Sequence, residues 1–321
     1  MSIDSAEKEA PCLDPAKFHD PDVTADGSVR ATVALKELET LWFNTGTLCN
    51  LTCINCYIES SPTNDRLVYI TAAEVRAYLD EIRRDGWETR EIGFTGGEPF
   101  MNPEIIDSIE ACLSYGFDVL VLTNGMRPMM KLQDDLLRLH ETYGRRLKTR
   151  ISLDHYTPAL HELERGAHSW VHTLPGLKWL SAHRFHINVA GRTLWAESED
   201  NLRAGYAKLF AAEDIHINAQ DHSDLVLFPE MDETIDVPEI TTACWGLLDV
   251  DPNEVMCATS RMVVKRKGAD KPVVLPCTLL PYDTRFEMGE TLADATGDVA
   301  LNHPHCAKFC VLGGGSCSVA D

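Results

Sequence analysis

The chain has 321 residues, long enough for one large domain or two of ordinary size, and 44% of them are hydrophobic, ample for a buried core. That composition excludes disordered and fibrous classes. Twenty-nine basic against 50 acidic residues leave a formal charge of −21, which repels a phosphate backbone and argues against a nucleic-acid partner.

In chain order, residues 1–37 are polar, carry Pro11, Pro15 and Pro21, and read as an N-terminal arm. A strand is predicted over 38–45. A helix follows over 71–85, with Thr71 and Glu74 as a capping box and Val75, Leu79 and Ile82 on one face. A strand at 91–95 leads to a helix at 103–115 closed by Gly116. The run 118–123 is nearly all apolar, as a strand covered on both faces of a parallel sheet requires. The alternation continues with a helix at 132–143, a strand at 147–154, helical turns at 158–183, a strand at 185–190, a helix at 199–212 and a last strand at 215–219.

Six strands joined by helical crossovers predict an α/β fold, a partial (β/α)6 parallel barrel over 38–229 with its site at the carboxyl ends of the strands. An acidic linker over 229–238 opens a smaller cysteine-rich region at 230–321. Within it, two β-branched runs flank a charged Gly turn over 261–275, a hairpin with Cys257 and Cys277 beyond its ends.

The eleven cysteines are grouped. The N-terminus has no basic and apolar signal pattern, and no eighteen apolar residues run together, so a cytoplasmic protein with reduced thiols and no membrane partner is expected. Cys12 and Cys112 stand alone and read as structural.

Cys49, Cys53 and Cys56 are spaced C-x3-C-x2-C just after the first strand. Structural zinc usually takes four ligands in two close pairs, and no histidine completes this set. Three soft thiolates suit a 4Fe-4S cube with one iron left open. Further strand ends carry Gly96-Gly97-Glu98-Pro99, Asn124-Gly125 and Ser152-Leu153-Asp154, short polar groups facing one mouth.

The cysteine loop, with Tyr57 after its last cysteine, closely resembles the radical S-adenosylmethionine (SAM) superfamily, as does the strand and helix order over about 38–220. The resemblance implies a SAM-binding 4Fe-4S cluster on Cys49, Cys53 and Cys56, and reductive cleavage of SAM to a 5′-deoxyadenosyl radical that abstracts hydrogen. It further implies cofactor contacts from Tyr57, Gly96, Gly97, Ser152 and Asn124. Glu98 is expected to receive the methionine amino group and Arg165 to pair with its carboxylate. An external one-electron reductant of flavodoxin or ferredoxin type would be the partner.

The later cysteines, Cys244-x12-Cys257-x19-Cys277 and Cys306-x3-Cys310-x6-Cys317, resemble the SPASM/Twitch auxiliary-cluster extension. Matched piece by piece, Cys244, Cys257, Cys277 and Cys310 would hold one auxiliary 4Fe-4S cluster. Cys306 and Cys317 are left as alternative ligands, a reactive pair or buried apolar residues. No individual catalytic residue follows from the sequence.

The expected function is a radical SAM enzyme acting on a small molecule. The alternative is a SPASM-type peptide or protein maturase, ranked second because the arm before the first strand is short for a leader-peptide-binding domain. A non-catalytic iron-sulfur electron carrier ranks last, since it needs no SAM cradle.

Overall fold

The computed structural model describes residues 11–315. After a short strand β1 (Thr32–Val33), β2 (Thr40–Asn44) enters the barrel. Helix α1 (Ala72–Asp85) is capped as its sequence requires: Glu74 N donates to Thr71 Oγ1 at 3.2 Å and Thr71 N donates to Glu74 at 2.9 Å, while Gly86 turns the chain out of the helix at φ 72°. There follow β3 (Glu91–Thr95), α2 (Ile105–Ser114), β4 (Asp118–Thr123), the short α3 (Arg127–Met130), α4 (Gln133–Tyr143) and β5 (Leu147–Ser152). Next come α5 (Pro158–Arg165), α6 (Ser169–Ala182), β6 (His186–Arg192), α7 (Glu199–Ala212) and β7 (Leu225–Phe228). The remainder holds α8 (Cys244–Leu248), β8 (Ser260–Val264), β9 (Val273–Leu275) and β10 (Val299–Ala300).

One sheet runs in the order β7-β6-β5-β4-β3-β2-β8-β9, parallel throughout except for β9. Its first six members with their helices form the partial (β/α)6 barrel. The sixth strand differs from expectation: 215–219 is not a strand. Ile215 and Ala219 are buried, but Asp221 N donates to Asn218 O and Asn218 N to Asp224, so polar residues form a turn that sets Leu225 beside Val189. Four apolar residues after that turn supply the strand.

The hairpin forms, with Met262 opposite Leu275, but β8 also lies parallel to β2, Thr40 against Ser260. The cysteine-rich segment thus extends the barrel sheet. Segment 11–37 is tied to the same region: β1 pairs with β10, and Arg30 meets Glu239 at 2.6 Å with both side chains buried. Two cores result, one between the sheet and its helices around Phe43, Val75, Ile109 and Tyr206, the other around Trp42, Met262, Cys257 and Phe309. Among the described residues no helix is long and apolar enough to cross a membrane.

Candidate functional site

The loop after β2 is held by backbone and by one distant carboxylate. Cys49 N donates to Ser61 O at 3.0 Å. Ile54 N donates to Glu164 O at 2.9 Å, and Glu164 accepts Asn55 N at 2.9 Å and Asn55 Nδ2 at 2.8 Å, one on each carboxylate oxygen. Glu164, on α5, thereby fixes the stretch between Cys53 and Cys56. Sequence reading had no signal for it, because a glutamate in an amphipathic helix looks like any solvated one.

Cys49, Cys53 and Cys56 all line one cavity at the carboxyl ends of the strands, about 1050 Å³ of open space when its solvent-filled mouth is included. Leu51 N and Ser60 N point at the sulfurs of Cys49 and Cys56, each at 3.4 Å. Burial pushes the Cys49 thiol up to about 12 and the Cys53 thiol up to about 11, so ionisation there needs a compensating cation. Three thiols aimed into one space with N–H groups on two of them fit an iron-sulfur cluster.

Tyr57, Gly96, Gly97, Asn124, Ser152 and Arg165 line the same cavity. The glycines serve the loop as much as any ligand: a Cβ on Gly97 would lie 2.1 Å from Leu48 O and one on Gly96 2.5 Å from Gly46 O. Only glycine lets the turn after β3 pack on the cysteine loop.

Glu98 departs from expectation. It is 1% exposed and does not line the cavity; Oε1 accepts from Thr123 Oγ1 at 2.7 Å and Phe100 N at 3.2 Å, and Oε2 accepts from Asn124 N at 2.8 Å. Its carboxylate is spent on strand-end donors rather than facing a ligand's amino group. Arg165 is likewise engaged, donating from Nε and Nη2 to Asp154, the second at 3.1 Å. Burial opposes its charge, but Asp154 and then Cys53 hold it above its ordinary value.

Residues outside the sequence reading complete the cavity. Arg150 and Arg192 reach in from β5 and β6, and Phe228, Met231, Leu279 and Phe309 form an apolar wall. From the C-terminal segment, Tyr282 donates to Ile58 O at 2.6 Å and Arg66 stacks 3.6 Å from its ring centroid, clamping the cysteine loop.

A second, tighter pocket is lined by Cys257, Cys277, Cys306 and Cys310 with His305 and apolar side chains. Leu279 lines both cavities. The thiol set differs from the predicted one. Cys244 is absent from this cavity; its sulfur sits against Thr241, whose N lies 3.3 Å away, on the outer helix α8. Cys306 takes the vacant place because the helical turn 306–311 presents residues four apart together. Burial pushes Cys257 up to about 11 and Cys306 up to about 12. Four thiols, with His305 beside them and apolar side chains around, fit a second cluster. Cys317 lies outside the described residues. Cys112 is buried in the first core, and Cys12 is exposed in a bridge with Ile235.

Residues 43–201 match the family described as the Radical SAM superfamily. Over 143 residues the chain is 33% identical to the antilisterial bacteriocin subtilosin biosynthesis protein AlbA of Bacillus subtilis (strain 168), a match covering 44% of this chain and 30% of AlbA. The chain therefore spans under a third of that curated relative. Among solved structures, Streptococcus suis SuiB bound to precursor peptide SuiA superposes with a TM-score of 0.60 at 11% identity, over 82% of this chain and 66% of SuiB. Native anSMEcpe with bound AdoMet and Cp18Cys peptide gives 0.54 at 13%, over 81% and 80%. Two of these relatives are described with bound peptides and the third as a bacteriocin biosynthesis protein, which overturns the expected preference for a small-molecule substrate over a peptide. The three-thiol loop, the glycine turn and the strand ends that carry them all lie within residues 43–201, the stretch that matches the Radical SAM superfamily.

Proposed function

We propose that the chain is a peptide-modifying radical SAM enzyme, with a 4Fe-4S cluster on Cys49, Cys53 and Cys56 and an auxiliary cluster in the second cavity. The observation that carries the reading is the convergence of those three thiols with Gly96, Gly97, Ser152 and Arg165 on one cavity at the strand ends. When bound and reduced, such a cluster supplies the electron that splits SAM to methionine and 5′-deoxyadenosine, the latter carrying a hydrogen taken from the substrate.

The chain's own residues bind and shield. Gly96 and Gly97 offer backbone groups at the cavity floor, Tyr57, Asn124 and Ser152 offer polar edges for the cofactor, and the Asp154–Arg165 pair supplies fixed charge beside the thiols. Phe228, Met231, Leu279 and Phe309 keep water from the reacting carbon. Cys257, Cys277, Cys306 and Cys310 would hold the auxiliary cluster, and Leu279, shared by both cavities, sets the two sites next to each other. The peptide reading is favoured by AlbA, SuiB and anSMEcpe as their descriptions stand.

The test is anaerobic reconstitution to about eight irons per chain, followed by dithionite and SAM. Formation of 5′-deoxyadenosine is expected, and none at full iron loading overturns the SAM reading. Deuterium passing into 5′-deoxyadenosine from a deuterated precursor peptide is the expected second result. Transfer only from deuterated free metabolites overturns the peptide assignment.

A further inference from the structure

We propose that Arg192 is the carboxylate-binding residue of the main cavity. Its side chain is 9% exposed and projects from the end of β6 into the cavity wall. Nη1 donates to Asn55 O at 3.3 Å, whereas Nε and Nη2 are buried and have no hydrogen-bond partner. Two guanidinium nitrogens left in this state cost free energy unless an acceptor arrives, and a planar carboxylate is the acceptor whose two oxygens match that fork.

The nearby carboxylates do not meet the need. Glu164 lies 4.0 Å away with both oxygens taken by Asn55, and Glu230 lies 3.9 Å away with Oε1 accepting from Met231 N and Asp232 N. Of the other arginines near the cysteine loop, Arg165 is held by Asp154 and Arg66 pairs with Glu59. Arg192 touches that loop through Asn55, one residue before Cys56, and lines the same cavity as the three thiols, so a carboxylate bound by it would lie within that cavity. The same chemistry has two sources, the methionine carboxylate of SAM and a carboxylate of the substrate peptide. The inference rests on the proposed SAM site and adds the residue that orients a ligand within it.

The experiment uses the full chain with its iron restored and the variants R192Q and R192K, with iron content and circular dichroism confirming that each variant is folded and loaded. SAM and decarboxylated SAM are measured by equilibrium dialysis, and peptide KM by steady-state kinetics. Loss of roughly tenfold or more in SAM affinity for R192Q, with decarboxylated SAM unchanged and partial recovery in R192K, supports Arg192 with SAM as the source. Unchanged SAM affinity with a similar rise in peptide KM, again partly recovered in R192K, supports it with the peptide as the source. Neither quantity moving in R192Q, or both ligands of the dialysis weakening equally, overturns it. Wild-type protein that binds no SAM at full iron loading would instead refute the SAM site itself.

Discussion

Thr123 donates its hydroxyl hydrogen to Glu98 Oε1 across 2.7 Å, tying the end of β4 to the turn after β3. With Asn124 N and Phe100 N also donating to it, Glu98 is the post on which the cavity floor hangs. Burial nevertheless outweighs these bonds and pushes its carboxyl from the ordinary 4.5 up to about 6. The folded protein therefore takes up this proton at a higher pH than the unfolded chain does. Wild type should gain stability relative to E98Q as pH falls through 6, by about 1 kcal/mol between pH 7.5 and 5.5. Urea unfolding of both proteins at the two pH values measures it, clear of the isoelectric point near 4.9. A stability difference independent of pH would show that Glu98 titrates normally.

The glycine turn offers a steric test. G97A forces a Cβ to 2.1 Å from the Leu48 carbonyl oxygen, a backbone atom that cannot swing away. It should cost more than about 2 kcal/mol and release iron from the first site. G116A is the comparison: its Cβ meets open space, and only the positive φ of 101° is strained, at about 1 kcal/mol. Thermal unfolding and iron content separate the two, and equal behaviour would mean that the cysteine loop does not lean on this turn.

Much of the barrel was legible because short-range patterns encode it. The capping box at Thr71 and Glu74, the apolar run 118–123 and the glycine stop at Gly116 each act within one element. What escaped depends on distant pairing. Leu225–Phe228 carries no alternation that marks it as a strand, and its place is set by Val189. Nothing local in Ser260–Val264 says that it will lie beside β2. The three-thiol loop stood out through its spacing, Tyr57 and the family resemblance together, yet its anchor Glu164 is 109 positions from Asn55 and left no local signature. Cysteine spacing likewise favoured Cys244 over Cys306, because spacing says nothing about which side of a helix faces a cavity.

That exchange of cysteines is itself testable. C306A should lower reconstituted iron from about eight to about four per chain, whereas C244A should stay near eight. C53A should abolish SAM cleavage. C277A should keep cleavage uncoupled from peptide modification, because the three thiols of the first cavity are untouched. Iron loss in C244A with none in C306A would return the ligand to α8.

Arg30 and Glu239 provide the test of how segment 11–37 is held. Arg30 also donates to the carbonyls of Asp20, Val23 and Leu301, and Glu239 accepts from Phe18 N at 2.7 Å and Ala25 N at 2.6 Å. The pair therefore bonds three stretches of chain at one buried point. R30M leaves a carboxylate buried without its cation and three carbonyls short of a donor, so a loss of about 3–5 kcal/mol is expected. R30K keeps the charge but cannot reach several carbonyls from one planar group, and should lose less than R30M while falling short of wild type. The barrel's own hydrogen bonds do not pass through this pair. Limited proteolysis should accordingly cut R30M first within 11–37, with iron in the first cavity retained. Cleavage appearing first inside the barrel, or a loss under 1 kcal/mol, would mean that β1 and β10 hold the segment without the ion pair.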